Sequence, residues 1–475
     1  MQKFSSDTVI GIECHIELKT NTKLFCRCPT RSKSQEDLPN SRCCPICLGH
    51  PGSKPLLNKK AVENAIKLCL ALNCSISSEL VFSRKSYFYP DLSKNYQISQ
   101  YEIPLGQAGM LKLKNGKQVG ITRAHLEEDP ASLVHPAGMK DGAYVLIDYN
   151  RSGNPLIEVV TEPDLTSPDE AREFMKELIT ILDYLEIFDL NHGIIKADAN
   201  VSIKESGYKR AEIKNITGFR EIERALEYEV KRQKDEAKHG RQLQQETRSW
   251  DAEKGITFFL RKKEKEEEYG YIIDTDLTIV DVTDKWIGEL KQAMPELAQD
   301  KIEKFISKFK IKREDAEIIA ADKSLATLFE KVAQKVEPSH AAKWIRRELV
   351  RVLNYNNKSL NDINLNENHF VDLLKLIEGK KITDNIGQKL IEKLAENDFD
   401  VNEYVTKENL GAVSDASQLE KFCKEAISEN SNAVDDFKKG EAKALNFLVG
   451  KVMQKTKGKA TPKEVNEILN RIMAY

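Results

Sequence analysis

Thr8-Val9-Ile10-Gly11-Ile12-Glu13-Cys14-His15-Ile16-Glu17-Leu18 is the stretch whose reading decides the fold. Ile10, Ile12, Cys14, Ile16 and Leu18 alternate with Glu13, His15 and Glu17. A repeat of two residues belongs to a strand, which buries the first set and aligns the second on its other face. Two carboxylates flanking an imidazole can hold a divalent cation or position a phosphate-bearing substrate. A solvated strand face carries the same pattern, so the reading depends on what other segments supply.

Just downstream, Cys26-Arg27-Cys28 and Cys44-Pro45-Ile46-Cys47 are separated by fifteen residues. Two close cysteine pairs joined by a loop suit a tetrahedral zinc ion, with Cys26, Cys28, Cys44 and Cys47 as thiolate ligands at about 2.3 Å. Cys43 is an adjacent alternative for the fourth position. With four thiolates and no spare coordination place, such a site is structural. A disulfide framework fits poorly: there are nine cysteines, an odd number, and no apolar signal segment opens the chain.

At 475 residues the chain calls for about three domains. Up to about residue 294 it is punctuated by Gly, Pro and aromatic residues, with β-branched runs such as Tyr144-Val145-Leu146-Ile147-Asp148. One long helix is expected after Ser167-Pro168-Asp169-Glu170, an N-cap serine, first-turn proline and acidic first turn, followed by Phe174, Leu178, Ile181, Leu182 and Leu185 at helical spacing. Beyond Pro295, Gly and Pro become scarce and helical patterns dominate, with an Asn-rich connector from Asn361 to Asn368. A further boundary near Gly411-Ala412-Val413-Ser414 sets off a last helical segment with its own apolar repeat, Leu445, Leu448, Val449, Val452 and Met453. The expectation is an α+β chain: a large sheet-and-helix domain over 1–294, an all-helical domain over 295–410 and a small helical tail over 411–475.

The formal charge is only −2, but from Lys439 to Tyr475 there are eight Lys or Arg against three Glu, which suits a polyanionic partner or simply a solvated helical face. No membrane-spanning or lipidation pattern is present, so a cytoplasmic protein is expected.

Three further clusters match the first. His125-Leu126-Glu127-Glu128-Asp129 packs an imidazole and three acids ahead of Pro130, as at a loop where a strand ends, and a bound cation would relieve the repulsion. Asp198 and Asn200 alternate with small residues, as on a strand rimming a pocket. Arg84-Lys85-Ser86-Tyr87-Phe88-Tyr89, Lys94, Arg123 and Asn150-Arg151 interleave cations and aromatic rings that can bind phosphates and stack on a base. Acids for Mg²⁺ with cations for phosphate are the parts of phosphoryl transfer. The Gly-rich phosphate loops and the nucleophile elbow are absent, so the usual nucleotide folds and hydrolase triads find no support.

Val9 to Leu18, the Leu24 to Gly49 cysteine segment, Arg84 to Leu92, His125 to Asp129, Asn150 to Gly153 and Asp198 to Ser202 resemble, nearly end to end, the B subunit of the aspartyl/glutamyl-tRNA amidotransferases. The resemblance implies a heterotrimer that corrects misacylated tRNA. A glutaminase A subunit releases ammonia, the B subunit spends ATP with Mg²⁺ to phosphorylate the side-chain carboxylate of Asp or Glu on the tRNA, and a small C subunit wraps the other two. It also implies a cradle holding the kinase site with a zinc-binding insertion, then a helical domain and a tail that grips tRNA. Carried over by position, Glu13, His15 and Glu128 hold Mg²⁺. Glu127 and Asp198 position the acceptor or the amine, while Lys85, Tyr87, Lys94, Arg151 and Asn200 contact the nucleotide. Pro130-Ala131-Ser132 stands where many members have Ala-Gly-Lys, which removes a lysine near the site. The competing expectation is a non-catalytic zinc-containing adaptor that docks tRNA.

Overall fold

The computed structural model describes residues 4–32, 36–136, 144–262, 269–412, 416–438 and 441–473. Val413 and Ser414 of the second boundary, and Lys439 and Tyr475 of the basic tail, lie outside the described residues. Two compact units result, Met1–Leu297 and Ala298–Tyr475.

The first unit is built on the opening strand, which runs over Thr8–Glu17 and sits in the middle of a nine-stranded sheet. Across the sheet the order is Ile256–Lys262, Glu246–Asp251, Ala211–Thr217, Ile195–Ile203, Thr8–Glu17, Pro155–Thr161, Gln118–Glu128, Gly106–Lys112 and Ser75–Ile76. Neighbours are antiparallel except Ala211–Thr217 and Glu246–Asp251, whose parallel pairing is bridged by the helix Phe219–Lys238, since parallel strands need a long crossover. Ile10, Ile12, Cys14 and Ile16 are at most 1% exposed, as their alternation requires. They join one apolar core with residues of the helices Lys59–Ala71, Pro168–Leu185 and Phe219–Lys238. The long helix starts where expected: the Ser167 hydroxyl accepts a hydrogen bond from the Glu170 backbone N–H at 3.2 Å, and Phe174, Leu178 and Leu182 are fully buried.

A three-stranded sheet of Gly270–Ile273, Ser83–Ser86 and Tyr96–Ser99 is tied to the large sheet by Gln97, which donates to the Glu128 carbonyl at 2.7 Å, and by Gln100, which accepts from the Leu126 N–H at 2.9 Å. Of the expected run Tyr144 to Asp148, the strand covers Leu146–Asp148. The cluster at His125 is not a loop: it belongs to the strand Gln118–Glu128 up to its last residue.

The second unit is helical, as the loss of Gly and Pro predicts. Phe305 of the helix Ala298–Phe309 meets Phe329 of Lys323–Val332 edge to face at 4.8 Å. Leu448 and Val452 of the helix Ala442–Lys455 share a separate apolar cluster with Leu419, Cys423, Val465 and Leu469.

Candidate functional site

Where helices cover one face of the large sheet, the other carries the polar residues of the alternating strands. The register aligns them in rows: Lys196, His15, Glu158 and His125 face one another across four strands, and Asp198, Glu13, Val160 and Arg123 form the next row. These rows floor a cavity of about 220 Å³, whose rim includes Lys85, Tyr101, Tyr269 and Tyr271 and whose far wall brings Glu212, Lys214 and Arg261. A larger groove of about 780 Å³, walled by Leu56, Leu57, Leu277, Val280 and Trp286, includes the carboxylates of Asp276 and Glu289 but brings no three metal-ligating groups together among the described residues.

His15, Glu127 and Glu158 each offer a ligand atom within 4.8 Å of the others. The His15 Nε2 is 3.6 Å from both carboxylates, and Glu158 also lies 3.3 Å from the Nε2 of His125. Glu127 and Glu158 are 4% and 8% exposed, so two acids converge in a place where neither is well solvated. Burial pushes the Glu158 carboxyl up, but His125, His15 and Arg123 outweigh it and hold the group below the carboxylate range. For His15, burial disfavours the cation and the charges of Glu158 and Glu127 overcome that, raising its pKa. Glu13, unlike Glu158, is shifted upward, by burial and then by Glu158 and Glu212.

Beside this group lies a second acidic set around Lys214, whose Nζ donates to Asp198 at 2.6 Å and Glu212 at 2.8 Å. Asn200 donates to Glu13 at 2.9 Å. Glu13, His15, Glu127, Asp198 and Lys85 thus share one cavity, with Asn200 adjoining through Glu13. Tyr87 stands behind the rim, edge-on to Tyr269 at 5.7 Å, with the Lys85 ammonium 4.8 Å from the Tyr269 ring.

Glu128, Lys94 and Arg151 are not brought there. Adjacent strand residues face opposite ways, so placing Glu127 in the cavity turns Glu128 out of it. Glu128 instead receives the Lys94 ammonium on both oxygens, at 2.5 and 2.8 Å, and the Ile98 N–H at 2.8 Å. Arg151 donates to the carbonyls of Pro130 and Ala131 at 3.1 and 2.8 Å. The sequence assigned no site role to Glu158 or Arg261, nor to Glu212 and Lys214, although Glu212-Ile213-Lys214-Asn215 belongs to the stretches that carry the family resemblance. Glu158 had a signal: a lone acid inside the apolar run Leu156-Ile157-Glu158-Val159-Val160.

Away from the sheet, the sulfur atoms of Cys26, Cys28, Cys44 and Cys47 all lie within 4.8 Å of one another. A tetrahedral ion with bonds of about 2.3 Å sets its thiolates about 3.8 Å apart, so the four fit a zinc ion. Cys43 is turned aside, its Sγ 4.0 Å from the Asn150 Oδ1. The turn is fixed from outside, since the Cys47 carbonyl accepts from Ser93 at 2.9 Å and Ser152 at 3.2 Å.

Comparison with known proteins agrees with this geometry. Residues 8–288 match the family described as the GatB/GatE catalytic domain, and residues 327–473 match the GatB domain. A protein of Thermodesulfovibrio yellowstonii is 42% identical over 98% of this chain and 99% of its own length. Others from Carboxydothermus hydrogenoformans, 39% identical over 98% and 99%, and Haloquadratum walsbyi, 41% identical over 97% and 96%, cover the two chains as fully. All three are named as the B subunit of an aspartyl/glutamyl-tRNA(Asn/Gln) amidotransferase. Matched along nearly its whole length, and with acids and imidazoles gathered on one sheet face of the catalytic domain, the chain belongs to the B-subunit family of the aspartyl/glutamyl-tRNA amidotransferases.

Proposed function

We propose that this chain activates the side-chain carboxylate of Asp or Glu on misacylated tRNA with ATP and hands the activated acyl group to ammonia, yielding Asn-tRNA or Gln-tRNA. The observation that carries this reading is the convergence of His15, Glu127 and Glu158 in one cavity with flanking cations. A carboxylate resists ammonia because it is negative and lacks a leaving group, and an acyl phosphate removes both obstacles.

In the first step a carboxylate oxygen bonds to the γ-phosphorus while the bond to the bridging oxygen breaks, and ADP departs with that electron pair. In the second, the ammonia nitrogen bonds to the acyl carbon, phosphate leaves with the C–O electrons, and a proton passes from nitrogen to solvent. His15, Glu127 and Glu158 would hold a divalent cation, Mg²⁺ being the family's, which when bound neutralises phosphate oxygens; a histidine among oxygen ligands is unusual for it. Lys85 screens phosphate charge at the rim. Asp198, with Lys214 fixed on one oxygen, offers the acceptor that orients the incoming amine. The zinc segment would act by structure alone.

On this reading the partners are a glutaminase A subunit, a small C subunit and tRNA, and the place of work is the cytoplasm. The helices after residue 411, with their lysines, form the part that grips tRNA, and 295–410 form the connecting helical domain.

Glu127→Gln tests the assignment in the reconstituted complex. ATP cleavage stimulated by misacylated tRNA is expected to fall at least ~100-fold while glutaminase activity persists. Cleavage at the normal rate would remove the cavity from the mechanism and leave the adaptor reading.

A further inference from the structure

Arg123 lines the same cavity, yet none of the steps just described gives it a task. It lies on the strand Gln118–Glu128, two residues before His125, and its register partners are Val160 on one side and Gln107 on the other. Neither neighbour carries charge. Among the described residues its guanidinium has no hydrogen-bond or ion-pair partner, and its Nε is buried with none. The charge of Arg123 reaches Glu158 and helps to hold its carboxyl down, but no ion-pair contact joins the two, and the nearby acids are in contact with other groups: Glu158 with His125 and His15, at 3.3 and 3.6 Å, and Asp198 and Glu212 with Lys214. A buried donor left unmatched is costly, more so when charged, and in a cavity a ligand can complete it.

We propose that Arg123 grasps the phosphoryl group that passes from ATP to the aminoacyl carboxylate. This rests on the assignment of the cavity as the kinase site. The guanidinium fork matches two oxygens of one oxyanion, so its ligand is either that phosphoryl group or the carboxylate. Chemistry separates them. A fork closed over the carboxylate would occupy both oxygens, one of which must attack phosphorus. The phosphoryl group, by contrast, presents its three non-bridging oxygens before, during and after transfer, and charge on them must be balanced throughout. The carboxylate oxygen gains the phosphorus, ADP leaves with the electrons of the broken bond, and Arg123 keeps its proton and its ligand.

The test uses the reconstituted complex, with hydroxylamine trapping of the acyl phosphate as readout. Arg123→Ala is expected to lower kcat for trapped acyl phosphate by at least ~100-fold, with KM for misacylated tRNA within about threefold of normal, and added guanidinium is expected to restore part of the rate. Arg123→Lys keeps the charge without the fork and is expected to fall between; if Arg123→Ala does not fold, the kcat and KM of Arg123→Lys decide the matter. A large rise in KM for misacylated tRNA at unchanged kcat would assign Arg123 to the carboxylate, and unchanged kinetics would give it no substrate contact; either overturns the proposal. Glu127→Gln is run alongside. If that variant is fully active the cavity assignment has failed; if it is inactive while Arg123 variants are normal, only the present inference has.

Discussion

Glu127 and Glu128 differ by one position and by everything that surrounds them. Glu127 shares its ligand space with His15 and Glu158, whereas Glu128 closes an ion pair with Lys94 whose side chains are only 7% and 13% exposed. Breaking one side of a buried pair strands the other charge, at a cost of about 3–5 kcal/mol. Glu128→Ala is therefore expected to lower the melting temperature by several degrees and to leave the ATP KM of the folded fraction close to normal; a normal melting curve with lost ATP cleavage would return Glu128 to the chemistry. The acids were legible in the sequence as a cluster because charge density at five consecutive residues has few explanations. Which of two neighbours faces the cavity was not, since that depends on where the strand ends, and the expected loop displaced the alternation by which it could have been read. Glu158 was given no role for a different reason: it is a single charge on an otherwise apolar strand, and only the cross-strand register reveals its company.

At the scale of elements, alternation and capping were the strongest signals, because both are local. The helix Pro168–Leu185 depends on Ser167 to receive an N–H that would otherwise face no acceptor. Ser167→Ala should cost about 1 kcal/mol in denaturant unfolding, with no change in the activity of folded protein. The cysteine segment was legible in its spacing, and the sulfur atoms of Cys26, Cys28, Cys44 and Cys47 gather as that spacing expects, whereas Cys43, the alternative that spacing left open, places its Sγ beside Asn150. If the four thiols hold zinc, a strong chelator should release about one metal per chain and loosen the segment against Ser93 and Ser152, to be read as faster amide exchange there than elsewhere in the sheet. Release of no metal would count against it. The order of the nine strands was beyond the sequence, since it is set by pairings between residues as far apart as Thr8 and Ile203.

For the whole molecule, the shift in texture near Pro295 corresponds to the division into Met1–Leu297 and Ala298–Tyr475. Loss of Gly and Pro is readable because it changes what backbones can do over a hundred residues. Each unit has its own apolar core residues, so the first is expected to fold when the second is removed, and the shortened chain should bind tRNA more weakly and with a shallower dependence on salt, since fewer lysines would displace counterions from phosphate. Full affinity with the normal salt slope in the shortened chain would remove the tRNA role from the helical unit. The acids and imidazoles of the cavity floor, finally, ride on adjoining strands in the body of the sheet. Such a centre has no half-assembled form: in Met1–Leu297 alone, warming should abolish nucleotide binding and circular dichroism along a single sigmoid, and the isolated chain should already carry the full seat before any companion arrives.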